Sequence, residues 1–152
     1  MTDEAAKCSG ICTEPFLASP PLTMLISGIL NPQLNALISR VRHTNSLVIA
    51  DWAFPFWPQI ETVDLSLTAG VPTVLQVLNA VRANWKCDQV FMAREFVSHN
   101  DRKTRGAFVK ACRGADLQFE PHIEFKKRLP QATGLIRTGD TTLYGNVILI
   151  SG

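Results

Sequence analysis

The alternation of apolar and polar positions becomes regular from Asn31 onward. Asn31 has the character of an N-cap, and Pro32 stands at the first helical position, where proline is tolerated. Leu34, Leu37, Ile38 and Val41 then fall on one face at helical spacing, predicting a helix that ends near Arg42-His43. The apolar run Leu47 to Ala50 reads as a buried strand. Phe54 to Gln59 reads as a loop, because Pro55 and Pro58 cannot serve an interior ladder. A second helix start lies at Gly70-Val71-Pro72, with Val74, Leu75, Leu78 and Val81 as the apolar face that follows. Val90 to Ala93 is a short strand, and Asp101 to Cys112 has the pattern of an amphipathic surface helix. Leu117 to Phe119 reads as a strand and Ile123 to Arg128 as a short helix. Gly134 to Thr138 and Val147 to Ile150 are two final strands, joined by a polar turn through Gly139 to Gly145. Helices alternating with short apolar strands predict an α/β layered domain.

Composition narrows the classes of function. At 152 residues the chain is read as one domain with room for an ordinary core. Residues 1–23, broken by Pro15, Pro20 and Pro21, read as a poorly ordered N-terminal extension, with Met24 an alternative start. The net charge of +2 comes from scattered basic residues, with one cluster at Lys126-Lys127-Arg128. That cluster reads as a solvated helix face, and without a basic stripe no nucleic-acid partner is expected. No apolar run reaches the roughly 18 residues of a membrane span. Cys8 and Cys12 lack a second pair at metal-ligand spacing, while Cys87 and Cys112 fall in or beside the predicted core. The expectation is a cytoplasmic protein with reduced thiols and no metal.

Candidate chemistry concentrates at strand ends. The chain has no phosphate-binding glycine loop, nucleophile elbow or paired-histidine metal motif. In open α/β sheets, ligands bind beyond the carboxyl ends of strands. Asp51 sits at such an end, and Trp52 and Phe54 beside it could offer an apolar face to a sugar ring. The residues alone favour the plainer reading, with Asp51 as a loop cap and His43 as a helix-terminal histidine favoured by the dipole.

Three stretches carry a resemblance. His43-Thr44 followed by Leu47-Val48-Ile49-Ala50-Asp51 and Pro55 resembles the opening signature of the D-ribose pyranase and L-fucose mutarotase family. Val63 through Pro72 is similar to the ribose branch. Ile136-Arg137-Thr138-Gly139-Asp140, then Tyr144-Gly145-Asn146-Val147-Ile148-Leu149, resembles the family's closing signature. The resemblance spans Met24 to the end and implies a three-layer α/β/α domain over residues 24–152, built on a central mixed sheet.

It also implies an activity, the interconversion of cyclic forms of a free monosaccharide such as ribose or fucose. Ring opening and reclosure need only proton transfers, so no cofactor is implied. Residue by residue, His43 matches the catalytic histidine and Asp51 a carboxylate that binds sugar hydroxyls. His122, in Pro121-His122-Ile123-Glu124-Phe125-Lys126, matches a substrate-binding histidine of the ribose branch. Tyr144, Gly145 and Asn146 match the motif that holds the substrate. His99 is left with a surface or helix-entry role, and Arg137 and Asp140 with pairing at a turn. Departures from the family pattern fall at Arg42, Asn45 and Trp52, and they keep open a non-catalytic sugar-binding or regulatory protein. The family resemblance further implies ring-like homo-oligomers, often decamers, with sites at subunit boundaries. The aromatic loop Trp52, Phe54, Phe56 and Trp57 fits either such an interface or packing within the chain.

Overall fold

A computed structural model describes residues 27–152; the expected N-terminal extension, Met24, Cys8 and Cys12 lie outside the described residues. Helix α1 (Pro32–Arg40) begins as its sequence dictates, with Asn31 Oδ1 accepting from the Leu34 N–H at 2.8 Å and Pro32 at the first position. Leu34, Leu37 and Val41 are buried. The helix stops at Arg40, short of the expected Arg42-His43, because Val41 turns to an extended backbone while keeping its side chain in the core. The Arg42 N–H then goes to Asn45 Oδ1 at 2.9 Å, closing a tight turn into strand β1 (Ser46–Ala50).

The remaining elements are β2 (Thr62–Asp64), α2 (Val74–Asn84), β3 (Cys87–Ala93), α3 (Glu95–His99), α4 (Arg102–Ala111), β4 (Asp116–Glu120), α5 (His122–Arg128), β5 (Gly134–Arg137) and β6 (Val147–Ser151). A capping box starts α2, Thr73 and Gln76 each bonding the other's backbone N–H. Asp101 caps α4 through the Thr104 N–H at 2.7 Å. Two elements were not expected from the pattern: β2 has three residues, and α3 has five with no side-chain cap.

The six strands form one sheet in the order β2-β5-β1-β6-β3-β4. β1 runs parallel to β5, β5 to β2, and β3 to β4, whereas β6 is antiparallel to both β1 and β3. Five strands therefore point one way and β6 points back. β5 and β6 are not neighbours: their link passes over the carboxyl end of β1, which lies between them.

Period-two alternation divides the buried side chains between the two sheet faces. Leu47 and Ile49 join Leu37, Leu78, Met92, Phe96 and Phe108 in the larger cluster, under α1, α2, α3 and α4. Val48 and Ala50 join Phe91, Phe125, Leu129 and Ile148 in the smaller one, under α5 and the 54–60 loop. The result is a three-layer α/β/α domain.

Candidate active site

Because five strands are parallel and one is reversed, several chain segments converge at one edge of the sheet. Asp51 leaves β1 there, Thr138 to Asp140 leave β5, Glu95 follows β3, and His122 follows β4. Asn146 arrives at the same edge because β6 starts where its parallel neighbours end. A cavity of about 600 Å³ opens there, lined among others by Asp51, Trp52, Phe54, His122, Tyr144 and Asn146.

Asp51 and Asn146 lock together across 95 positions of sequence. The Asp51 backbone N–H donates to Asn146 Oδ1 at 2.7 Å, and Asn146 Nδ2 donates to Asp51 Oδ2 at 2.9 Å. The other carboxylate oxygen, Oδ1, is buried without a hydrogen-bond partner. An ionised carboxylate accepts only, so that oxygen is suited to a ligand hydroxyl.

Tyr144 adopts a left-handed backbone, φ 55°, an uncommon conformation for a bulky side chain. Its ring meets His122 edge-on at 5.1 Å between centroids. The His122 backbone N–H donates to both carboxylate oxygens of Glu95, at 3.0 and 3.2 Å. Partial burial lowers the His122 pKa, and Lys126 lowers it further, against the opposing pull of Glu95 and Asp51. His122 is therefore mainly neutral at pH 7, with one ring nitrogen to donate and one to accept.

The other expected site residues stand apart. Gly145 is buried in the same turn, but its N–H donates to Thr142 O at 3.1 Å and it does not line the cavity. His43 is exposed and lies at the opposite edge of the sheet, where the Thr44 N–H donates to Ser151 O at the far end of β6. At ~3.3 Å per residue, β1 alone holds the two edges roughly 15 Å apart. One chain thus assembles Asp51, His122, Tyr144 and Asn146 without His43.

Arg137 and Asp140 do not pair with each other, contrary to the sequence expectation. Arg137 Nη1 donates to the Trp52 and Phe54 carbonyls at 3.2 and 2.6 Å, and Asp64 lies 3.8 Å from its Nε. Asp140 is buried and accepts from the N–H groups of Val74 and Thr142, each at 2.7 Å. It thereby ties the loop after β5 to the start of α2, where a negative charge is favoured. Gly139 is also needed in this loop, since a Cβ there would press into the carbonyls of Thr68 and Val71.

The basic cluster divides three ways. Lys126 lines the cavity, Lys127 pairs with Glu124 at 2.7 Å, and Arg128 bonds Glu120 while lying 3.7 Å over the Phe91 ring. Lys126 stands one helical turn beyond His122, and the orientation of α5 is what separates it from its two basic neighbours. The aromatic loop divides too: Phe54 is buried and Trp57 packs against the smaller core cluster, but Trp52 and Phe56 are exposed. These two rim a larger neighbouring cavity of about 850 Å³, whose Asp64 and Arg137 already have partners within the chain. Among the described residues, no group of three or more His, Cys, Asp and Glu is placed to hold a metal ion, and no helix is long and apolar enough to cross a membrane.

Comparison with known proteins follows this geometry. A model of the RbsD / FucU transport protein family matches residues 24–152. The D-ribose pyranase of Chromobacterium violaceum is 42% identical over 125 residues, covering 82% of this chain and 95% of that protein. The D-ribose pyranase of Geobacillus kaustophilus is 39% identical over 126 residues, covering 83% and 92%. The solved structure of Bacillus subtilis RbsD complexed with D-ribose superposes with a TM-score of 0.79 at 29% identity, covering 85% of this chain and 98% of that one. The fucose mutarotase of Streptococcus pneumoniae, solved in complex with L-fucose, shares the fold with a TM-score of 0.67 at 22% identity, covering 80% and 92%.

Proposed function

The chain belongs to the RbsD / FucU transport protein family, and from that premise we propose that it is an isomerase interconverting the cyclic forms of a free monosaccharide of the ribose or fucose class. The observation that carries this reading is the convergence of Asp51, His122, Tyr144 and Asn146 on one cavity, with one buried Asp51 oxygen left without a partner. D-ribose pyranases are the relatives at 42% and 39% identity.

In this reading the sugar lies in the cavity with hydroxyls on Asp51, Asn146, Tyr144 and neutral His122. Trp52 and Phe54 face its apolar side. One proton passes from the anomeric hydroxyl to a water molecule as another reaches the ring oxygen, the bond between the anomeric carbon and the ring oxygen breaks, and the chain form carries an aldehyde. Rotation and attack of a hydroxyl on that carbonyl close the ring again, with the proton movements reversed. His43 serves as the acid that protonates the ring oxygen, a role worth about 100- to 10,000-fold. Since His43 stands at the far edge of its own sheet, it enters from a neighbouring copy, and a ring-like homo-oligomer, with the decamer as its form, completes each site. The free thiols of Cys87 and Cys112 suit a cytoplasmic setting.

Mixing variants tests both activity and assembly. His43→Ala and Asp51→Ala proteins are each expected to exchange ribose and fucose ring forms no faster than buffer by NMR. Co-assembled, they regain part of the wild-type rate, because some boundaries then carry an intact His43 opposite an intact Asp51. Wild-type protein that exchanges neither sugar would end the proposal for these substrates.

A second reading is a sugar-binding or regulatory protein that has lost turnover. The stretch around His43 favours it, since Arg42 and Asn45 are two of the departures from the family pattern and both lie beside that residue. Calorimetric binding of a monosaccharide, with exchange at the background rate, would select it.

A further inference from the structure

Helix α3 touches the candidate site at three points, although its sequence pattern marks it as peripheral. The Glu95 carboxylate holds the His122 backbone N–H at 3.0 Å. Asn100, at the end of the helix, donates from Nδ2 to Leu143 O at 2.8 Å, anchoring the carbonyl immediately before Tyr144. Between them stands His99, whose ring lies against Tyr144 with centroids 4.9 Å apart and planes tilted by 53°. Tyr144 is therefore flanked by two imidazoles, His99 from α3 and His122 from α5.

The orientation of His99 is set by its own helix. Nδ1 lies 2.8 Å from the Glu95 carbonyl, which can only accept, so Nδ1 carries the proton. Ser98 Oγ donates to the same carbonyl and lies 3.0 Å from Nδ1. The ring is thus pinned on its α3 side and presents its body to Tyr144.

We propose that His99 is a positioning residue for Tyr144, holding the phenol against the sugar cavity from the side opposite the ligand. A left-handed backbone at a bulky residue persists only where its surroundings over-determine it. Here those surroundings are the Asn100 bond to Leu143 O, the Gly145 N–H on Thr142 O, and the two flanking rings. Tilted ring contacts in this distance range are favourable and directional. The inference rests on the reading of Tyr144 as a sugar-binding residue, but it is tested separately from that reading.

Tyr144 is the single tyrosine of the chain, so 3-fluorotyrosine labelling yields one fluorine resonance that reports on this cluster alone. The ionisable groups around it are His99 and Glu95 from α3, His122 and Lys126 from α5, and Asp51 from β1. As the pH falls, the wild-type resonance is expected to respond to protonation of His122, whose pKa burial and Lys126 hold below its ordinary value. His99→Ala should shift the resonance through loss of the ring contact, whereas His122→Ala should remove its pH response. In sugar-exchange kinetics, His99→Ala should raise KM about tenfold with kcat changed less than about threefold, the pattern of lost uniform binding. His99→Phe, which keeps a ring against Tyr144, should recover most of that loss, and Asn100→Ala should reproduce part of it. An unchanged fluorine shift in His99→Ala overturns the proposal, as does a KM defect that His99→Phe fails to repair. If the wild-type protein proves inactive on sugars, the proposed function falls, and the fluorine measurement still decides the role of His99.

Discussion

The two ends of β1 are built differently. At its carboxyl end Asp51 is clamped by Asn146 through two hydrogen bonds, and Tyr144 and His122 line the same cavity in contact with each other. At its amino end His43 is exposed in a short turn, held only through the backbone around it. One end is a hydrogen-bonded cluster lining a cavity; the other is a projecting group. The contrast teaches that the proposed sugar-binding residues converge within one chain while the proposed proton donor stands apart, so binding and turnover should be separable by substitution.

The largest effect should come from the projecting end. His43→Ala is expected to reduce ring exchange by about 100- to 10,000-fold, while folding stability stays within ~0.5 kcal/mol of wild type, as for an exposed side chain. Equal losses of exchange and stability in NMR and urea melts would erase the contrast.

Next comes the clamp. Asn146→Ala leaves the Asp51 N–H and a carboxylate oxygen without partners, a cost of ~1–3 kcal/mol. It should lower the urea midpoint and weaken sugar binding together, because the same bonds serve both.

A smaller effect should appear with pH. His122 has a folded-state pKa below its ordinary value, first through burial and then through Lys126. The folded protein therefore binds fewer protons there than the unfolded chain. The associated stability is fully present above about pH 6.5, the unfolded value, and is lost as pH falls through the depressed value. His122→Gln should flatten that acid-side slope in denaturant melts.

The smallest effect should come from Asn45→Asp, which puts a carboxylate two residues after His43. Asn45 Oδ1 accepts from the Arg42 N–H to close the turn, and a carboxylate oxygen can accept the same bond. Stability should move by less than ~0.5 kcal/mol. A large gain in exchange would show that the carboxylate acts on His43 rather than on the turn.

Most of the fold was legible because its elements carry strong local signals. The Asn31-Pro32 start of α1, the apolar run of β1 and the amphipathic stretch of α4 all stand where the pattern places them. β2 escaped because three residues are too few for an alternation to register. α3 escaped because it is one turn long with no side-chain cap, and its worth lies in contacts with residues far along the chain. Lys126 was hidden for a similar reason: three consecutive basic residues look alike in sequence, and only the orientation of α5 separates them. That Asp51 and His43 would stand at opposite edges follows from the polarity of a single strand. Asn146 reaching Asp51 depends on β6 being inserted backwards, which no local pattern announces.

That reversed strand also has a consequence for synthesis. β6 is the last strand in chain order, yet it sits between β1 and β3 and bonds to both. Before residues 147–151 leave the ribosome, β2-β5-β1 and β3-β4 are two separate ribbons with no ladder between them. The nascent chain therefore exposes two facing strand edges until β6 intercalates between them, and a chaperone or a second nascent copy can bind those edges in that interval.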